Sequence, residues 1–239
     1  MAREAHPSTM NRANRPSIPL RAPRTKRLLV TACLLLLVLT GSGSLCRATQ
    51  LLPVDEAELQ PDFFTFRAHL LAALARRDVP ALLEVVDPNI KNSFGGNDGI
   101  EEFQKMWALD QPESRLWETL TALLALGGTF NSEGWFTAPY VFSEWPDDLD
   151  AFEHVAIVGS GVRVRSRADL SSEPITSMSY AIVPLSGATA ITDEWVGVRL
   201  PGGAEGYVGR RYVRSSLDYR AMFAKSDGQW RMKFLVAGD

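Results

Sequence analysis

Gly161-Val162-Arg163-Val164-Arg165-Ser166 opens a stretch that continues as Glu194-Trp195-Val196-Gly197-Val198-Arg199-Leu200-Pro201-Gly202-Gly203 and then as Gly206-Tyr207-Val208-Gly209-Arg210-Arg211-Tyr212-Val213. The middle run sets Trp195, Val196 and Val198 against Gly197 and Arg199, and it stops at a Pro-Gly-Gly turn. A further short apolar piece follows at once. Apolar–polar alternation punctuated by tight turns predicts short antiparallel strands.

Those three pieces, in that order, resemble bacterial SH3-like domains. Such domains open on a Val-x-Val-Arg-Ser pattern and close on Trp-Val-x-Val, a glycine turn and Gly-Tyr-Val. The resemblance covers about a quarter of the chain. It implies a small β-barrel over residues 154–214, with His154 to Gly159 as its first strand. It also implies a binding module carried on an exported protein. In related SH3 folds a shallow aromatic groove takes extended ligands. By position in the motif, Tyr207 is expected in the core. Tyr180, Trp195 and Tyr212 are the candidate groove aromatics. Arg210 and Arg211 beside them form a small basic edge suited to carboxylates of a peptide stem or an acidic partner.

The N-terminus agrees with export. Arg3, Arg12, Arg15, Arg21, Arg24, Lys26 and Arg27 face a single acid, Glu4, before the apolar run Leu28 to Leu39. The run breaks at Thr40-Gly41-Ser42-Gly43-Ser44. A basic region, a short apolar run and a small-residue exit describe a secretory signal peptide over residues 1–48, with cleavage expected after Ala48. A start at Met10 gives the more ordinary length of basic region. A spanning helix needs about 20 apolar residues, so a retained N-terminal anchor is the secondary reading. A lipid anchor on Cys46 fits poorly, because Gly43 and Leu45 reverse the large-then-small order of that motif. The chain is thus expected to be secreted or periplasmic, with no stable membrane span after cleavage.

Processing changes the chemistry of the chain. Both cysteines, Cys33 and Cys46, leave with the signal, which removes disulfides, thiolate metal sites and cysteine nucleophiles. The full chain has 25 basic and 28 acidic residues. Residues 1–48 hold eight of the former and one of the latter, which leaves 17 and 27, a net charge of about −10. That balance disfavours nucleic acid and anionic membrane surfaces as partners.

The remainder reads as an α+β chain. A linker spans 49–60 and a helix-rich N-terminal domain spans 61–150. The SH3-like unit follows at 154–214, and a C-terminal β-hairpin extension closes the chain at 217–239. Pro61 opens a helix with Phe63, Phe66, Leu70 and Leu74 on one face. Asp78 is placed to cap a second helix, Val79 to Val86, which Asp87-Pro88 ends. A turn at Gly95-Gly96-Asn97-Asp98-Gly99 precedes a third helix from Ile100 to about Leu109. A fourth helix over 112–126 carries Leu116, Leu120 and Leu123 and stops at Gly127-Gly128. From Phe130 to Glu153 the chain reads as an aromatic-rich loop or short strands, then an exposed acidic linker. Asp227-Gly228 joins two alternating runs and is a strong hairpin signal. Trp230, Met232, Phe234 and Val236 are expected on one face. The hairpin either extends the barrel or pairs back onto the N-terminal domain.

A second resemblance bears on that choice. Two helices about Arg77-Asp78, then Gly95 to Phe103, look like the opening of the cone-shaped fold of nuclear-transport-factor-like and SnoaL-like proteins. Phe223 to Arg231 is similar to that family's closing strands. The sequence departs from the family in the helix at 112–126, where central strands are expected. The resemblance implies a small-molecule pocket in the N-terminal domain; a pocket with buried polar groups among Trp107, Trp117 and Trp135 favours that reading, and a solid aromatic core there removes it.

Catalytic patterns are sparse. His69 and His154 are the histidines beyond the signal, and neither sits in a His-x-x-x-His or Glu-x-x-His pair. There is no Gly-x-Ser-x-Gly elbow. The Gly95 to Gly99 loop lacks the Gly-Lys-Ser/Thr ending of a phosphate loop and the ligand ladder of a calcium loop. Glu101-Glu102 and Asp147-Asp148 are adjacent pairs whose side chains diverge. The expectation is a non-enzymatic binding protein without metal or cofactor. Its expected partner is a cell-wall peptide, peptidoglycan or an envelope protein. The alternative is a ligand-binding or enzymatic cone domain with the SH3-like unit as a targeting arm.

Overall fold

Proline at a first helical turn sacrifices no hydrogen bond, and Pro61 starts helix α1 (Pro61–Arg76). The structure is a computed structural model that describes residues 48–187 and 194–238. The expected signal peptide and its two cysteines lie outside the described residues. Helix α1 buries Phe63, Arg67, Leu70, Ala73 and Leu74, so the expected stripe is present but rotated. Phe66 moves to its edge, and Arg67 takes the buried place. A guanidinium tolerates that position because Asp55 meets it with two hydrogen bonds, at 2.7 and 2.8 Å. Arg77, in a left-handed conformation (φ 53°), ends the helix. Helix α2 (Val79–Val85) begins at once, its first turn capped by Asp78 Oδ1, which accepts from the Ala81 amide at 3.2 Å.

Beyond Asp87 the chain does not loop. Strand β1 (Val86–Lys91) follows directly, with Pro88 inside it. Proline is admissible because β1 is an edge strand whose register shifts along its length. Helices α3 (Ile100–Met106) and α4 (Leu116–Ala125) are shorter than the sequence predicts. Ala108 adopts a positive φ of 45° just after α3, which ends the helical path. Strands β2 (Thr129–Phe130) and β3 (Phe136–Ala138) lead into a single-turn helix α5 (Tyr140–Ser143).

The chain then leaves this layer for residues 154–214 and returns as β11 (Arg220–Ser226) and β12 (Gln229–Val236). The hairpin pairs back onto the helical part. The five strands run in the order β1-β12-β11-β3-β2, with β1 parallel to β12 and the other pairs antiparallel. Asp227 and Gly228, both at positive φ, form the hairpin turn. A bulge interrupts the expected alternation. Met222 pairs with Phe234 but Phe223 pairs with Met232, which leaves Lys233 as the extra residue. Past it the faces swap. Leu235 enters the core, and Phe234 packs outside against Trp135 at 5.9 Å. Phe63 centres the interior between helices and sheet, with ring centroids 4.3 Å from Phe136, 4.8 Å from Trp230 and 5.5 Å from Phe130.

Lys233 is put to use by the bulge. Its ammonium hydrogen-bonds the Asp87 carboxylate and the Ser226 hydroxyl, tying β1 to the hairpin. Burial alone would raise the Asp87 pKa. The hydrogen bonds from Lys233, the Asn89 amide and Ser226, with the Lys233 charge, instead lower it below its ordinary 3.8. A carboxyl depressed on folding stabilises the native state above its unfolded value, and that contribution fades as pH falls through its folded pKa. Asp87→Asn is therefore expected to cost about 2 to 3 kcal/mol at pH 7. The gap to the unaltered protein should narrow below about pH 3.8 in urea melts run across pH.

Residues 154–214 form two further sheets. One has the order β10-β4-β7, from β4 (His154–Ile157), β7 (Ile182–Pro184) and β10 (Val213–Arg214). The other has the order β6-β5-β9-β8, from β5 (Val162–Arg165), β6 (Pro174–Met178), β8 (Trp195–Arg199) and β9 (Glu205–Gly209). A single bridge, Leu185 to Val198, joins them among the described residues, and the sheets are not closed. Their shared core is mostly valine: Val155, Val164, Val183, Val196, Val198 and Val208. Val208 points inward, so Tyr207 lies on the other face of β9, half-buried, and not in the core as its motif position implies.

Residues 49–60 are fastened at both ends. Thr49 accepts from the Ile182 amide and Leu51 donates to the Tyr180 carbonyl, both at 2.8 Å, so this segment adds a bridge beside β7. Further on, Glu56 Oε2 accepts from the Phe130 amide at 2.7 Å.

Candidate functional site

The end of β9 and the start of β8 are neighbours, because Trp195 pairs with Gly209. Strand β5 flanks β9 on the other side, with Arg165 opposite Tyr207. After Gly209 the chain makes a single 3-10 turn, Arg210 to Tyr212. These three pieces frame an open cleft of about 590 Å³. Trp195, Arg210, Arg211 and Tyr212 line it, which brings together four of the five residues singled out from the sequence. Tyr180 is placed elsewhere. It adopts a positive φ of 47°, and its backbone holds Leu51 and Gly159.

The cleft has an apolar ledge and basic walls. Tyr212 is 38% exposed, and the Arg211 guanidinium stacks over its ring at 4.7 Å. Leu170 overhangs the cleft, 72% exposed, from the loop between β5 and β6. That loop is pinned beneath it. Buried Ser172 bonds the Ser166 hydroxyl at 2.9 Å and the Arg167 amide at 3.0 Å, and its carbonyl accepts from Arg165. Asp169 sits below its ordinary pKa because the Ser171 amide and hydroxyl both donate to it.

The opposite wall was not foreseen. Arg163 and Arg165 line the cleft from β5, where Val162 and Val164 face the core. Strand alternation turns both arginines outward on one face. The signal was present in Val-Arg-Val-Arg, but the motif directed attention to the aromatic residues.

A second cleft of about 670 Å³ lies beside Trp107 and Tyr219, whose rings are 4.9 Å apart. Arg210 lines this cleft too, with Arg214 and Asp218. Asp218 lies between the two guanidiniums, 3.5 Å from Arg210 and 3.6 Å from Arg214. Burial lowers the Arg214 pKa, an effect that Asp218 opposes and Arg210 adds to. Trp107 Nε1 is buried here with no hydrogen-bond partner among the described residues. Trp117 is core, and Trp135 packs on Phe234 away from both clefts.

The other sequence candidates stay apart. His69 is exposed on α1, and His154 Nδ1 lies 2.9 Å from the Asp150 carbonyl. Asp98 is paired with Lys91, and its carboxylate also accepts from the Asn92 amide, so Asp98 ties the Gly95 to Gly99 turn back to the end of β1. No group of three or more His, Cys, Asp or Glu residues is placed to hold a metal ion among the described residues. No helix among them is long and apolar enough to cross a membrane.

Comparison with known proteins finds no matching family model, no matching curated protein and no matching solved structure.

Proposed function

We propose that this is an exported, non-enzymatic binding protein. Its β-rich segment, built on the pattern of bacterial SH3-like domains, recognises cell-envelope material or a partner protein through the cleft of Trp195, Arg210, Arg211 and Tyr212. The observation that carries this reading is the convergence of Trp195, at the start of β8, with the Arg210 to Tyr212 turn that follows β9 around an open, solvent-facing groove. An aromatic ledge flanked by fixed guanidiniums suits an extended chain with polar branches.

The test is co-sedimentation of the chain from Thr49 onward with purified peptidoglycan. The protein is expected to pellet with the wall, and Trp195→Ala combined with Tyr212→Ala is expected to lower retention about tenfold. Equal retention by the double variant would remove the cleft from the reading. A chain cut at Glu153 is no control, because it lacks the hairpin that completes the helical layer's sheet.

The chain path favours a second reading. Two helices, a strand and two more helices precede a sheet that the C-terminal hairpin completes, which suits a cone-type domain interrupted by the β-rich unit. On that reading the Trp107 cleft holds a small ligand and the β-rich unit serves as a targeting arm. The aromatic packing around Phe63 fills the interior between helices and sheet, so the ligand would sit at the margin of the domain.

A further inference from the structure

We infer that the aromatic cleft is selective for a short peptide segment carrying carboxylate side chains. This rests on reading the cleft as a binding surface and names what it selects.

Charge makes the first argument. The chain past Ala48 carries a net charge of about −10. Among the described residues the cleft inverts that balance, with four arginines in its lining against one acid, Glu194. Between Gly161 and Arg214 the sequence has seven arginines and no lysine. Arginine presents a planar fork that matches a carboxylate with two parallel hydrogen bonds, which a lysine ammonium does not.

The four arginines divide into two pairs. Arg165 donates to the Ser172 carbonyl, and Arg210 donates to the Val213 carbonyl at 2.8 Å and reaches Asp218. Those two hold the frame. Arg163 and Arg211 are exposed and meet no carboxylate among the described residues. Arg211 is held in place over the Tyr212 ring, so little side-chain freedom remains to be lost on binding. These two exposed arginines belong to different elements, Arg163 to β5 and Arg211 to the turn after β9.

The apolar ledge chooses among anions. Trp195, Tyr212 and Leu170 offer contact area that inorganic phosphate or a bare polyphosphate leaves unused. A peptide alternating acidic and apolar side chains engages both, since its side chains fall on alternate sides. A long polyanion is disfavoured, because the surplus of acids on the rest of the chain repels it.

The experiment is fluorescence anisotropy with a labelled hexapeptide alternating glutamate and leucine. Its glutamine–leucine and lysine–leucine counterparts serve as comparisons, all against the chain from Thr49 onward. The glutamate peptide is expected to bind about tenfold more tightly than the glutamine peptide, and the lysine peptide more weakly still. Arg163→Gln and Arg211→Gln are each expected to weaken the glutamate peptide several-fold with an unchanged melting temperature. Arg115→Gln, in the Trp107 cleft, should leave binding unchanged. Equal binding of the glutamate and glutamine peptides, with loss in Trp195→Ala, would overturn the charge selectivity and leave the cleft reading standing. Absence of glutamate-peptide binding would overturn the inference, and absence of peptidoglycan binding as well would remove the cleft reading with it. Displacement by inorganic phosphate at the concentration at which unlabelled peptide acts would also overturn it.

Discussion

A chain that stops at Arg214 is expected not to fold. It retains every helix and the whole β-rich segment but loses β11 and β12. Strand β11 sits in the middle of the five-stranded sheet, between β12 and β3. Phe223, Trp230, Met232 and Leu235 are buried in the main core. Burying four such side chains stabilises by roughly 6 to 12 kcal/mol, at about 1.5 to 3 kcal/mol each. The entire stability of a domain is about 5 to 15 kcal/mol. The cut also strands Asp87 without Lys233. The expected result is insoluble protein, or soluble protein without near-ultraviolet dichroism or a cooperative melt. A cooperative melt within a few degrees of the full chain would show that the helical layer holds itself together and that the hairpin is an accessory. The observed pairing gives the hairpin the opposite role.

That role was only half legible in the sequence. The Asp227-Gly228 turn and the alternation on either side were plain, because turn chemistry and period are local. Where the hairpin pairs is non-local, and nothing within Tyr219 to Val236 distinguishes the edge of one sheet from the centre of another. Strand β1 was missed for a related reason. Pro88 argues locally against a strand, and only the neighbouring β12 makes an edge strand of it. The bulge at Lys233 was invisible in the same way, so Phe234 and Leu235 exchange their expected places. The cleft was legible to the extent that it lies within one motif. Trp195, Arg210, Arg211 and Tyr212 come together because β8 and β9 pair in register. Tyr180 precedes β7, in the other sheet, and its backbone is committed to Leu51 and Gly159. The burial of Arg67 rests on Asp55, a partner twelve residues away that helical spacing does not reveal.

The second large effect is expected at Gly128. Glycine after a helix is usually explained by the left-handed conformation it permits, and Gly127, at φ 71°, fits that account. Gly128 has a different reason to be glycine. A Cβ there would lie 2.1 Å from the Thr137 carbonyl oxygen and 2.9 Å from its carbonyl carbon, both backbone atoms of β3. Backbone within a paired strand has little freedom to retreat, since β3 is bonded to β2 on one side and β11 on the other. Gly128→Ala should therefore force β3 away from the end of α4 and strain the Glu56 amide's hydrogen bond to the Gly128 carbonyl, now 2.9 Å. The expected cost is at least about 3 kcal/mol, a fall of about 6 to 12 °C in melting temperature. Gly134→Ala is the comparison, because Gly134 has a positive φ, 79°, which Gly128 does not, and a Cβ there meets nothing within 4 Å. It carries the cost of a side chain at positive φ without a clash, about 1 kcal/mol, whereas Gly128→Ala carries the clash without that cost. Similar losses at both positions would mean that β3 gives way, and the close approach of helix end and strand would then not be what makes residue 128 a glycine. A large loss at Gly128 alone places the strap from Asp55 to Glu56, the end of α4 and β3 in one tightly packed corner, where Asp55 and Glu56 reach Arg67 and Phe130.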